Sequence, residues 1–177
     1  MQMKQSQTLK MVYLAMLIAL AVGVHTIEAA LPLPIPIPGV KLGLANIITI
    51  ITLVFYGYRS ALVVASMRSI LGSLVTGSFL GFGFYLSFSG AVLSSLAMGL
   101  MMPLYRNKKI TLLSVSIGGA AVFNIAQLAL ASMLMQNTLL FRGYLPILLC
   151  LAIPTGLFTG LTAHYLEAAI RRSGWRF

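Results

Sequence analysis

Aspartate is absent from this 177-residue chain, and Glu28 and Glu167 are its only acids. Holding hydrated Mg²⁺ or Ca²⁺ takes several carboxylates close together, so this chain alone cannot build such a centre, and two-metal chemistry is excluded. One cysteine, Cys150, cannot form an internal disulfide; it lies in an apolar run and is expected to pack there. Charge of either sign is scarce at 8% of residues, against 59% hydrophobic, and the mean hydropathy is +0.99. A soluble domain needs a charged exterior around one core, so lipid is the expected solvent. There is no GxxxxGK[ST] run, so the chain cannot drive transport through a P-loop of its own.

What is present is a succession of apolar runs. Segments at about 10–31, 40–56, 60–80, 84–104, 110–135 and 144–170 predict six transmembrane helices, an all-α integral membrane protein with a single domain over 1–177. The second run is the shortest and contains Gly43 and Asn46, which leaves a tilted or re-entrant course open. Lys4 and Lys10 before the first run resemble the start of a signal peptide. Glu28, however, would occupy a recognition position that wants a small residue, and five apolar segments follow. Pro32, Pro34, Pro36 and Pro38 alternate with Leu and Ile, which forbids both helix and sheet ladder. A stiff outer loop over 31–39 results, either a lid or a plain connector.

The +10 net charge is not arranged as a nucleic-acid surface, because the cations sit between the apolar runs. With the N-terminus inside, Lys4, Lys10, Arg59, Arg106, Lys108, Lys109, Arg171, Arg172 and Arg176 are cytoplasmic, and only Lys41 and Arg142 are outside. Both termini are therefore expected in the cytoplasm. Small residues recur every fourth position as Ala61, Ala65, Ser69, Ser73 and Gly77, as Ala91, Ser95 and Gly99, and as Gly156 and Gly160, which predicts closely packed seams. Pro146 and Pro154 are expected to bend the last helix. Ala15 and Ala19 form another small patch, for packing within the chain or for a second protein.

Six crossings, an early AxxxA patch and a long first outer loop together resemble the substrate-binding S components of energy-coupling factor (ECF) transporters. More narrowly, the run Pro38-Gly39-Val40-Lys41-Leu42-Gly43-Leu44-Ala45-Asn46 and the run Arg68-Ser69-Ile70-Leu71-Gly72-Ser73 look like the Gx transporter family, which also carries the label heptaprenyl diphosphate synthase component I. The resemblance spans nearly the whole chain. It implies a transmembrane T component that docks on Ala15 and Ala19, a pair of ATPase subunits, and the plasma membrane of a bacterium. The label does not make the chain a prenyltransferase: those enzymes bind diphosphate through aspartate-rich motifs, and no aspartate exists here.

Ionisable groups inside a bilayer are costly, so each one is a candidate for function. Arg68 lies about eight residues into its segment, roughly 12 Å along a helix, near mid-membrane. An anionic ligand, Glu28 or backbone carbonyls are its available partners. His25 and Glu28 share a helical face, where they could meet a solute or be satisfied within the bundle. With His164 distant in sequence, they do not make a metal site. Lys41 could snorkel or cap an anion, and Asn46, Asn124 and Gln127 add amides that either bind a solute or join helices. Phe79, Phe82, Phe84, Tyr85 and Phe88 flank an outer hairpin as interface anchors or stacking partners.

The expected function is capture of a small, anionic organic solute from outside for ATP-driven uptake by partner subunits, with no cofactor and no catalysis. The alternative is a non-catalytic membrane subunit or anchor of an isoprenoid or quinone biosynthetic system, docking through Arg106, Lys108, Lys109, Arg171 and Arg172.

Overall fold

The computed structural model describes residues 2–30 and 43–173. The proline-alternating loop, Lys41 and Arg176 lie outside the described residues. Six helices account for most of the rest: α1 (Gln2–Ala30), α2 (Leu44–Tyr56), α3 (Tyr58–Val75), α4 (Phe82–Arg106), α5 (Leu112–Leu134) and α6 (Thr138–Arg172). Within α1, α4, α5 and α6 are four stretches long and apolar enough to cross a membrane. α2 has 13 residues, roughly 20 Å of helix, and so falls short of the ~30 Å hydrocarbon core.

Sequence punctuation sets most of the ends. α3 stops at Val75, five residues before the expected limit, because Thr76 caps it and Gly77 turns the chain at φ 68°. Thr111 and Asn137 accept backbone N–H groups at the starts of α5 and α6. Only Gly57, at φ 82°, separates α2 from α3. α6 runs unbroken from Thr138 to Arg172 through Pro146 and Pro154.

α2 is the hub. It touches α1, α3, α4 and α6, and its residues Ile48 to Val54 are all buried. Ile50, Leu53, Met98, Leu112 and Val115 form the main core. Between lipid-solvated helices there is no hydrophobic drive, so stability comes from close contact and interhelical hydrogen bonds. The small-residue seams supply that contact: Ala61, Ala65, Ser69 and Ser73 are all buried, and so are Ala91 and Ser95. A Cβ on Gly156 would sit 2.6 Å from Ile117 Cα, and one on Gly160 3.0 Å from Leu113 Cα, so α5 and α6 pack almost backbone to backbone. Ser94 donates to the Gly119 carbonyl across α4 and α5 at 2.9 Å.

One expectation needs correction: Cys150 is exposed on α6 and not packed in the bundle. Ala15 and Ala19 are exposed on α1.

Candidate functional site

Arg68 is fixed by the α2–α3 contact. It is only 3% exposed, and its Nη1 donates to Asn46 Oδ1 at 3.2 Å and to Thr49 Oγ1 at 3.5 Å. Asn46 and Thr49 are three apart on α2 and so share the face turned to α3. The second of these bonds is long, and Nε is buried with no partner among the described residues. Among the described residues no backbone carbonyl is paired with this guanidinium, and its Nε keeps donor capacity deep in the bundle.

The counter-charge arrives from α1. Glu28 is buried, its Oε1 accepts the Gly43 N–H at the start of α2, and its charge acts on Arg68. A carboxylate is well placed there, because the first amides of a helix lack intrahelical partners and carry partial positive charge. Gly43 presents its amide from a left-handed conformation, φ 74°, that glycine adopts without strain. Three helices thus bring a deeply buried cation and one of the chain's two acids into a single layer.

His25, one turn before Glu28, lies against Gly72, one turn after Arg68. A Cβ on Gly72 would come 2.5 Å from His25 Cδ2, so the missing side chain makes room for the imidazole. His25 therefore borders the Glu28–Arg68 layer on the α1–α3 seam. His164 does not join it; it is exposed on α6 beside Tyr165.

On the other side of Asn46 is a small polar cavity of about 20 Å³, lined by Gly43, Asn46, Ala120, Phe123, Asn124, Thr155 and Thr159. That is room for a single water-sized group. Asn124 Nδ2 donates to the Leu148 carbonyl at 2.8 Å, tying α5 to α6, and Ser116 and Thr159 share a hydrogen bond of 2.7 Å. Arg68, Asn46, Glu28 and Asn124 are therefore brought together around Gly43 and Asn46. Gln127 is not: it is buried one turn further along α5, against Gly90. Lys41 lies outside the described residues.

Three participants have no signature in the sequence. Thr49, Thr159 and the Gly43 amide carry no signal there, since threonine is common in membrane helices and a backbone group has no letter. A fourth group forms a separate cluster: Glu167 accepts from Tyr105 Oη at 2.9 Å and pairs with Arg171 at 2.8 Å, while Arg171 lies over the Phe55 ring. The four-residue spacing of Glu167 and Arg171 is a readable sign of that pair. Ala19 lines an apolar groove of about 640 Å³ between α1, α2 and α6, with Met16, Leu20, Phe55, Tyr56 and Ile170, and Ala15 lies one turn away.

A helical bundle with several membrane-length apolar helices and an ionic layer sealed among them defines a multi-pass membrane protein. The family model described as heptaprenyl diphosphate synthase component I matches residues 17–166, and the chain belongs to that family. Comparison with curated proteins and with solved structures gave no match.

Proposed function

We propose that this protein is the substrate-binding (S) component of an ECF-type transporter, capturing a small, anionic organic solute at the outer side for ATP-driven uptake by partner subunits. The observation that carries the reading is Arg68, a buried guanidinium whose Nε has no partner among the described residues and whose Nη1 holds Asn46, a residue that lines the polar cavity. Leaving a buried donor unpaired costs about 1–3 kcal/mol, and more when it is charged, so retaining one suits a group that has a visitor to meet. Glu28 offsets the charge when no solute is present, and the solute's negative group competes for the same cation. The exposed Ala15–Ala19 patch beside the α1 groove suits close approach by a T-component helix.

A second reading follows from the family's own description, which names one component of a synthase. Without aspartate this chain would be its non-catalytic membrane subunit, docking through Arg106, Lys108, Lys109, Arg171 and Arg172. Gentle detergent purification from the native membrane, followed by mass spectrometry of bound proteins, separates the two. A T component and ATPases are expected; recovery of a prenyl synthase in their place overturns the transporter reading.

A further inference from the structure

The groove between α1, α2 and α6 has a direction. Glu28, near the end of α1, holds the Gly43 N–H at the start of α2, so the two helices run back from one shared layer. At 1.5 Å per residue, Leu20 and Ile51 each lie about 12 Å from that layer, and Tyr13 and Tyr56 each lie roughly 20 Å from it. All four line the groove, which therefore runs along the bundle with hydrocarbon at its Leu20–Ile51 end and phenol groups at the other. Ser173 of α6 also lines it. Arg171 stands at the phenol end: its Cζ lies 5.6 Å from the centroid of the Phe55 ring, itself part of the lining, and the lining residues Ile170 and Ser173 flank it in sequence. Glu167 Oε1 accepts from Arg171 Nε at 2.9 Å and from Nη2 at 2.8 Å, and buried Glu167 is held in turn by Tyr105 Oη at 2.9 Å. The guanidinium is thus fixed along one edge while its side chain stays 63% exposed. Its other edge, Nη1 with the second Nη2 hydrogen, has the fork geometry that takes two phosphate oxygens. Since Glu167 offsets the charge of Arg171, a further cation matters: Lys10, exposed one turn before Tyr13 on the same side of α1, supplies it.

We infer that this groove is a site for one anionic glycerophospholipid of the bilayer, with an acyl chain laid along Met16, Leu20 and Ile51 and the phosphate on Arg171 and Lys10. An apolar channel ending at fixed cations matches a molecule that joins an apolar chain to an anion, and basic pockets between membrane helices hold such headgroups. The charge also discriminates: a zwitterionic lipid brings its own ammonium group to the two cations, whereas phosphatidylglycerol brings none. The inference does not rest on the transporter reading and concerns the protein without partners. Because Ala19 belongs to the groove lining, a T-component helix seated there would take the place of the lipid chain.

The test titrates the purified full-length protein in detergent with dioleoyl phosphatidylglycerol or dioleoyl phosphatidylcholine and reads retained lipid by native mass spectrometry. One phosphatidylglycerol should be retained, roughly tenfold more tightly than phosphatidylcholine. Arg171→Gln keeps a donor for Glu167 and loses the charge and the fork, so its retention of phosphatidylglycerol should fall to the phosphatidylcholine level. Ala19→Trp fills the groove from an exposed position away from the cations, so it should lose the lipid at an unchanged unfolding temperature. Lys109→Gln removes a cation at the same end of the bundle but outside the groove lining, and should change nothing. Equal retention of the two lipids, or full retention of phosphatidylglycerol by the Ala19→Trp or Arg171→Gln protein, overturns the inference. A loss in Lys109→Gln as large as that in Arg171→Gln overturns it as well, because diffuse surface charge would then account for the binding. Should Arg171→Gln fail to fold, Ala19→Trp and the comparison of the two lipids decide. None of these outcomes bears on which proteins copurify, so the transporter reading fails or stands separately.

Discussion

At Glu28 one carboxylate meets two demands: it caps the first amide of α2 through Gly43 and opposes the charge of Arg68. The demands separate by substitution. Glu28→Gln keeps an oxygen for the Gly43 N–H and loses only the charge, whereas Glu28→Ala loses both and leaves the guanidinium uncompensated. Leaving a buried polar group without its partner costs about 1–3 kcal/mol, so the alanine variant should unfold at a lower temperature in detergent, with the glutamine variant in between. Equal losses would show that the cap contributes nothing. Arg68→Ala should likewise destabilise, but it should also lose the copurifying solute that the Glu28→Gln protein retains; a ligand held by the Arg68 variant at unchanged affinity removes that residue from the site. Arg68, Glu28, Asn46 and Asn124 were legible in the sequence because polar side chains in apolar runs are rare and costly. Thr49 and Thr159 were not, since a helical threonine usually satisfies itself on its own backbone, as Thr52 does on the Ile48 carbonyl at 2.7 Å.

Among the elements, the pairing of α5 with α6 is the tightest and depends on what Gly156 lacks. A methyl there would meet Ile117 Cα at 2.6 Å and its nitrogen at 3.1 Å, backbone atoms that no rotamer change can move. Gly156→Ala should therefore push the helices apart and cost about 1–3 kcal/mol. Gly23 is the control: it lies inside α1 with nothing within 4 Å of the place a methyl would take, so Gly23→Ala should gain up to about 1 kcal/mol of helix propensity. Thermal unfolding of the two variants side by side checks both signs, and a destabilised Gly23 variant or an unaffected Gly156 variant contradicts the packing described. The four-residue spacing of small residues made these seams readable in advance. The start of α2 was not, because no capping side chain precedes Leu44 and the helix begins at Gly43, whose N–H is held by the tertiary bond to Glu28. The exposed face of Ala15 and Ala19 was equally hidden, since spacing reports a small patch but not what lies against it.

For the molecule as a whole, α6 sets the scale. Arg142 and Arg171 on that helix are separated by about 44 Å of rise, close to the full thickness of a bilayer with its headgroups, so each can reach an opposite polar layer. Tyr105 bonds to Glu167, one turn before Arg171, so the end of α4 with Arg106, Lys108 and Lys109 lies at the Arg171 end of the bundle. Cation-rich loops tend to be retained in the cytoplasm during insertion, so we predict that this end is the inner face and that Arg142 lies outside. With Cys150→Ala as background to remove the native thiol, single Lys108→Cys and Arg142→Cys variants in intact cells can be treated with a membrane-impermeant maleimide. Arg142→Cys should label directly and Lys108→Cys only after the cells are permeabilised. Labelling of Lys108→Cys alone in intact cells would invert the orientation and put the Asn46 cavity on the side from which a captured solute could not enter, and labelling of both would mean that α5, the helix between the two positions, does not cross the membrane.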